Sequence, residues 1–282
     1  LKIFRRYLSP LKKVEEKNEV LIRVHYSSLN YKDALSATGN KGVTRKYPHT
    51  PGIDAVGVVE ETSSSQFAVG EQVIVTSYDL GMNTSGGFGQ YIKVPANWIV
   101  KLPEYLSMKE AMIIGTAGFT SGIAVSLLQE KVKPADGQVI VTGATGGGGS
   151  VALNILSKLG YNTVAVSGKM EEQEFLRILG AKEIILRSDF LKLEKKPILS
   201  ARYAGAIDTV GGEYLENILK TLNPQGMVAT CGSVAGISLN ISVFPFILRG
   251  ITLTGISAQN YPLELRPEMW EKLGNAWRPD YL

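Results

Sequence analysis

Cysteine occurs once in the 282 residues, as Cys231. One thiol cannot make an intrachain disulfide framework, which suits a reducing cytosol, and it rules out a four-cysteine zinc lobe. Histidine is nearly as scarce. His25 and His49 are not at metal-ligand spacing, and each reads as a packed or surface histidine. A strong charge of one sign is also lacking. The formal net charge is +4 and no Lys/Arg run is long, so nucleic acid is not expected as a partner. The longest apolar stretch, Ala111 to Leu128, is interrupted by glycines and hydroxyls, so no membrane span is expected. No signal-peptide pattern is visible, and the chain opens on Leu1 rather than Met, so its natural N-terminus is expected to be absent. With 44% hydrophobic and 20% charged residues, the composition is that of a soluble globular protein of one or two domains.

What is present centres on Val139-Ile-Val-Thr-Gly-Ala-Thr-Gly-Gly-Gly-Gly-Ser150. An apolar strand runs into a glycine-rich turn, and Val151, Leu153, Ile155, Leu156 and Leu159 follow at helical spacing. The pattern Ala144-x-Gly146-x-x-Gly149 puts alanine at the first position of a dinucleotide-binding fingerprint. Alanine there still allows a tight turn, Gly146 lets backbone approach a pyrophosphate, and Gly149 lets the helix lie close on the strand. Thr145, Gly146, Gly147 and Gly148 are therefore candidate cofactor contacts, at a helix N-terminus that favours phosphate. The next strand ends in Ser167-Gly168-Lys169, where an NAD site would place a carboxylate for the ribose hydroxyls. Small polar groups followed by a cation suit a 2′-phosphate, so NADPH is the expected cofactor. Arg187, after Glu183-Ile-Ile-Leu186, either adds charge there, stacks on adenine, or is a surface arginine.

Before this region, residues up to about Pro103 are β-rich. Val20, Ile22, Val24 and Tyr26 alternate with Leu21, Arg23 and His25, and short strands follow at Asp54–Glu60, Gln72–Thr76, Gly89–Val94 and Trp98–Lys101. Their number and spacing suggest a small barrel. Met108 to Gln129 is helical in pattern. From Gly137 onward strands and helices alternate to Gly255, which means a parallel sheet with helices on both faces. No repeats and no low-complexity linker are visible.

The combination of Pro51-Gly-Ile-Asp-x-x-Gly-x-Val59, Gly115-Thr-Ala-Gly-Phe-Thr120 and the fingerprint resembles the medium-chain dehydrogenase/reductases. Leu29-Asn-Tyr-Lys-Asp-Ala34, Ala111 to Thr120, Val166-Ser-Gly-Lys169 and Pro245-Phe-Ile-Leu-Arg-Gly250 are similar to the zinc-independent quinone-oxidoreductase branch, and within it to the bacterial acryloyl-CoA reductase group. The resemblance implies an α/β protein: a GroES-like β-barrel catalytic domain over 1–104 and a Rossmann doubly wound parallel-sheet nucleotide domain over 105–257. Residues 258–282 begin a C-terminal return to the catalytic domain, which the family continues beyond Leu282. Gly148 stands where the family usually has valine, and Lys169 where arginine is common, which makes phosphate recognition less bidentate.

The same resemblance implies the site. Zinc-dependent relatives carry ligands where Asn30 and Ile53 stand and near Thr116-Ala117, so no metal is expected. Asn30, Tyr31 and Asp33 are the catalytic candidates. Asn30 either donates its amide to a substrate carbonyl or caps a helix with Asp33 at N3. Tyr31 either packs on the nicotinamide or relays a proton, and Asp33 either holds Asn30 or a water. Asp54 supports that loop or is a turn residue. Thr116 and Ser257 are expected near the nicotinamide, against the plainer readings of a helix threonine bonding back to a carbonyl and a surface serine. Lys41, Arg45 and Lys46 form a basic loop that meets CoA phosphates or is simply solvated. The implied activity is NADPH-dependent reduction of a double bond beside a carbonyl, in acryloyl-CoA or a similar enone. A quinone is the alternative acceptor, and a non-catalytic NADPH-binding crystallin-like or regulatory role the alternative of another class. A cytoplasmic homodimer, paired along the strand Ile251–Gly255 through the nucleotide domain, completes the expectation.

Overall fold

The computed structural model describes residues 14, 17–192 and 196–282, so residues 1–13, 15 and 16 of the expected catalytic domain lie outside it. The chain divides into two compact units: residues up to Thr116 with Gln259–Asn275, and Ala117–Ala258 with Ala276–Leu282. The division falls inside a helix, at a break described below, rather than in the turn before it.

In the first unit, β1 (Glu19–Tyr26), α1 (Tyr31–Ala37), β2 (Asp54–Thr62), β3 (Gln72–Thr76), β4 (Tyr91–Pro95) and β5 (Ile99–Lys101) follow one another. The strands form an antiparallel sheet in the order β4-β1-β2-β3-β5. The period-2 pattern holds in part: Leu21 is buried as well, and Tyr26, on the expected inner face, is 47% exposed at the strand end. Val20 and Ile22 of β1 enter a core with Ala55 and Val59 of β2, Val73 and Val75 of β3, and Ile92 and Val94 of β4.

Next comes α2 (Met108–Lys131). It is long and apolar enough to cross a membrane, with mean hydropathy 1.7, yet 67% of that window is buried inside the protein, as in a core helix. The second unit then alternates β6 (Gln138–Thr142), α3 (Gly147–Lys158), β7 (Asn162–Ser167), α4 (Gln173–Ile178), β8 (Glu183–Leu186), α5 (Arg187–Phe190), β9 (Tyr203–Asp208), α6 (Gly212–Thr221), β10 (Leu222–Thr230), α7 (Phe244–Arg249) and β11 (Thr252–Gly255). All pairings are parallel, in the order β11-β10-β9-β6-β7-β8. This is the doubly wound order, whose direction of winding reverses between β6 and β9.

Two faces of this sheet are covered. On one, Ile140, Val164, Ala206 and Val228 pack with Tyr214, Leu215, Ile218 and Leu219 of α6. The i, i+1, i+4, i+5 spacing makes this one stripe, and each such side chain stabilises the fold by about 1.5–3 kcal/mol on burial. On the other, Gly205 lies against Leu128 of α2 and Val132 just beyond it. Finally α8 (Arg266–Gly274) belongs to the first unit. Sequence periodicity had not marked α7 or α8. Each is short, but α8 carries its own signals, Pro267 at its start and a Glu268–Lys272 pair at 2.8 Å.

Candidate active site

At the carboxyl ends of β6, β7 and β9, around the point where the winding reverses, lies a cleft of ≈ 290 Å³. Such crevices are where open α/β sheets bind ligands. The tight turn leaving β6 is made by Gly143, at φ 61°, and not by Ala144 as the fingerprint reading expected. The strand ends one residue earlier, so the left-handed position falls on the glycine. Gly149 behaves as predicted: a Cβ there would lie 2.2 Å from Gly143 O, so only glycine lets α3 seat on the turn. Gly147 and Gly148 have their nearest protein atoms 3.4 and 3.5 Å from an added Cβ, so packing within the protein does not demand glycine at either. Bare backbone at a helix start is what an approaching phosphate requires.

Just behind the cleft lies Asp208, the fully buried last residue of β9 and the neighbour of its lining residue Thr209. Its Oδ1 accepts from Thr142 Oγ1 at 2.6 Å, its Oδ2 from Thr230 Oγ1 at 2.8 Å and from Gly211 N at 3.0 Å. One carboxylate thus ties together the ends of β6, β9 and β10. Thr209, Val210 and Tyr214 line the cleft beside it. These contacts were missed in the sequence, although Asp208-Thr-Val-Gly-Gly212 has the look of a strand end entering a turn.

Of the expected cofactor residues, Thr145, Gly146, Ser167, Gly168 and Arg187 line this cleft together. The Ser167 and Thr145 hydroxyls are 3.3 Å apart, and Ser167 Oγ accepts from Lys169 N at 3.1 Å. Arg187 lies over Gly168, whose added Cβ would be 3.0 Å from the guanidinium carbon. Lys169 is exposed just beyond the lining. Ser257 lines a different cleft, with Thr230, Cys231 and Gly255 at the ends of β10 and β11.

In the first unit one catalytic candidate, Asn30, is held together with Ser28 and Thr116 on a buried carboxylate, Asp54. Its Oδ2 accepts from Ser28 Oγ at 2.8 Å, Asn30 Nδ2 at 2.9 Å and Thr116 N at 2.8 Å, and its Oδ1 from Thr116 Oγ1 at 2.5 Å. Burial pushes this carboxyl up, and the four donors pull it back. Gly115 makes the arrangement possible. Its φ of 49° breaks α2, and a Cβ would sit 2.6 Å from Ser28 Oγ and 2.8 Å from Asp54 Oδ2. The break turns the Thr116 N–H toward Asp54, so both its N–H and its hydroxyl donate to that carboxylate. The Thr116 hydroxyl also meets Ser77 Oγ at 2.9 Å.

Asp33 is buried and structural in its contacts. Its Oδ2 accepts from Asn30 N at 2.8 Å, starting α1, while Oδ1 accepts from Gly52 N at 3.0 Å and Ile53 N at 2.9 Å. It therefore holds the Asn30 backbone, and Asp54 holds the Asn30 amide. Tyr31 is 64% exposed, displayed from the first turn of α1. Lys32 reaches Gln259 Oε1 at 3.0 Å, and its pKa is lowered by burial against the opposing pull of Asp33 and Asp54. In the basic loop, Lys41 Nζ donates to Arg45 O at 3.2 Å and lies 4.8 Å from the Tyr47 ring centroid, so one of its cations is engaged within the loop. Among the described residues no three His, Cys, Asp or Glu side chains form a group that could hold a metal.

The chain is similar to known proteins over nearly its whole length. Residues 16–104 match the alcohol dehydrogenase GroES-like domain and residues 147–275 the zinc-binding dehydrogenase family. The chain is 42% identical to YhfP of Bacillus subtilis, whose name places it among quinone oxidoreductases, over 94% of this chain and 81% of that protein. A crystal structure of YhfP with NAD bound superposes with a TM-score of 0.89. The chain is 43% identical to a protein of Escherichia coli named as a probable acrylyl-CoA reductase, AcuI, over 90% of this chain and 78% of that one. The crystal structure of E. coli YhdH with bound NADPH is 41% identical, with a TM-score of 0.92 over 98% of this chain and 84% of that one. On its two domain matches and on identity above 40% across nearly its whole length, the chain belongs to the medium-chain dehydrogenase/reductase superfamily.

Proposed function

We propose that this chain is an NADPH-dependent reductase of an activated carbon–carbon double bond, with acryloyl-CoA or a similar enone as acceptor. The observation that carries the reading is the Asn30 amide, anchored through one N–H on Asp54 at 2.9 Å. An amide has a second N–H. Asn30 presents it to the carbonyl oxygen of the substrate, where negative charge grows as the double bond is reduced. Bound NADPH supplies the hydride. Tyr31, Thr116 and Ser257 take the nicotinamide contacts that the resemblance gives them, while Asp33 and Asp54 hold the donor in place. Relatives named for acrylyl-CoA reduction and a relative crystallised with NADPH support this choice. The name of YhfP supports a quinone as a second acceptor.

The residues fit the reduced dinucleotide phosphate. The start of α3 and the bare Gly146–Gly148 backbone suit the pyrophosphate. Ser167, Gly168 and Arg187, with Lys169 at the rim, offer hydroxyl and cation at the end of β7, where a ribose-binding carboxylate would repel a 2′-phosphate. Arg187→Ala and Lys169→Ala are each expected to weaken NADPH by on the order of 1–3 kcal/mol, the range for charge-assisted contacts, and to leave NADH nearly unchanged. Equal loss for both nucleotides in a fluorescence titration would assign these residues to folding.

The reaction proceeds without metal on this reading, since Asn30 and Ile53 occupy the positions that carry ligands in zinc-dependent members. The deciding assay follows NADPH absorbance with acryloyl-CoA and with a small quinone, before and after dialysis against a strong chelator. Faster reduction of the enone, unchanged by chelator, is expected. Preferred turnover of the quinone selects the second reading, and no turnover of either acceptor selects a pure binding role. We also assign a cytoplasmic homodimer. β11 is the edge of the parallel sheet, and Phe244, Ile247 and Leu248 of α7 are exposed by 45%, 68% and 66%. A bare edge beside apolar surface invites an isologous partner. Sedimentation at micromolar concentration is expected to show twice the chain mass, and a monomer rejects the pairing.

A further inference from the structure

Arg266, the first residue of α8, is among the most deeply buried large side chains, at 1% exposure. Sequence reading gave it no role. Its Nη1 lies 3.3 Å from both Thr76 O and Thr76 Oγ1, and its guanidinium carbon sits 4.3 Å from the centroid of the Tyr78 ring. Tyr78 in turn stacks on Trp98, with centroids 5.4 Å apart and planes at 4°. The guanidinium and the indole thus both neighbour the Tyr78 ring.

Between the two residues that Arg266 touches lies Ser77. Ser77 and Tyr78 both adopt left-handed backbone, at φ 66° and 53°. Two consecutive non-glycine residues in this region are strained and persist only where their surroundings hold them. The strained step has a product: the Ser77 hydroxyl meets Thr116 Oγ1 at 2.9 Å, and Thr116 Oγ1 donates to Asp54 Oδ1 at 2.5 Å. Ser77 N also donates to Ile53 O at 2.8 Å, next to Asp54.

We propose that Arg266 is a positioning residue for the Asn30 site: by gripping Thr76 and Tyr78 it holds the left-handed step that aims the Ser77 hydroxyl at Thr116, and so orients the Asp54 carboxylate that anchors the Asn30 amide. The shape of the guanidinium explains the residue type. A planar fork over a ring face can also reach a carbonyl and a hydroxyl beside it, whereas a lysine ammonium of equal charge offers one point charge. A buried cation is itself costly, and an apolar side chain of similar volume fills such a space more cheaply. Burial pulls the Arg266 pKa down, while Tyr78 and Asp54 push it up.

The inference rests on the reductase reading, and the test separates the two. Arg266→Lys and Arg266→Ala are compared with wild type in three measurements: kcat with whichever acceptor is reduced, the dissociation constant for NADPH, and amide exchange at Ser77 and Leu80. The expected result is a kcat lower by roughly 10- to 100-fold, as for other small displacements of a catalytic group, with NADPH affinity within about twofold. Ser77 and Leu80 exchange faster while amides of the parallel sheet do not. Added guanidinium restores rate to Arg266→Ala, and methylammonium does not. Normal kcat per folded molecule in Arg266→Lys, or exchange that quickens everywhere alike, overturns the proposal. Should neither variant fold, Tyr78→Leu decides, because it removes the stacking face from a half-buried position: lowered kcat with unchanged NADPH affinity supports the proposal, and normal kcat overturns it. If wild type reduces no acceptor, the reductase reading has failed, and the exchange measurement alone judges whether Arg266 holds the Ser77–Tyr78 step.

Discussion

Replacing Asn30 with alanine is expected to lower kcat about 100-fold or more while changing NADPH affinity little. A donor aimed at a developing oxyanion acts mainly in the transition state, and losing one such donor costs that much in related sites. A capping role for Asn30 predicts a different outcome, about 1 kcal/mol of stability and no loss of rate per folded molecule. The structure sharpens the contrast. The start of α1 is held in part by the Asp33 carboxylate accepting the Asn30 backbone N–H, and that bond survives in Asn30→Ala. Single-turnover reduction and thermal melting on the same preparation distinguish the two, and a normal single-turnover rate removes Asn30 from the chemistry. Tyr31→Phe is the companion. Its ring remains available for packing, so only a loss of rate would implicate the hydroxyl.

Asp54→Ala is expected to have the largest effect on stability. It leaves the Ser28 hydroxyl, the Asn30 amide and the Thr116 N–H without their common acceptor. Stranding a buried donor costs about 1–3 kcal/mol, so a loss of roughly 3 kcal/mol or more is expected, visible as a lowered midpoint in urea. Activity falls with it, because the Asn30 amide loses its anchor. Asp54→Asn separates acceptor from charge. An amide oxygen can replace Oδ2, and the variant is spared burial of a carboxylate, so it keeps most of the stability. The pH dependence has a definite sign. Burial raises the Asp54 pKa in the folded chain, so folding takes up a proton there, and wild type gains on Asp54→Asn as the pH falls through the folded-state value. A stability difference between these two proteins that does not vary with pH would sink the assignment of a titrating Asp54.

The legible part of this fold was the part written in short-range pattern. Alternation in β1 and the apolar runs of β6, β7 and β9 were readable because each strand buries residues at period 2 or along its whole length. The turn from β6 into α3 was readable because its glycines recur at fingerprint spacing, although the left-handed position fell on Gly143 and not on the fingerprint's own first position. Asn30 and Asp33 stood out through resemblance and capping chemistry alike. What stayed hidden depends on contacts between residues far apart in the chain. Asp54 and Thr116 are separated by 62 positions and Thr76 and Arg266 by 190. No periodicity announces such a bond. Even Gly115 is not set apart in the sequence from the other glycines of that apolar stretch, and only the clash of an added Cβ with Ser28 and Asp54 shows why a side chain is excluded there.

The Asp208 knot has a consequence for how a nucleotide arrives. Because that single carboxylate already joins the tips of β6, β9 and β10, the mould for the dinucleotide is set before any ligand enters it. Little chain entropy is left to lose in that unit on association, and no rare open form has to be awaited there. If Lys169 and Arg187 meet the nucleotide as proposed, capture by the parallel sheet is governed by encounter and by charge at the rim, and the association rate is expected to respond to salt more than to temperature.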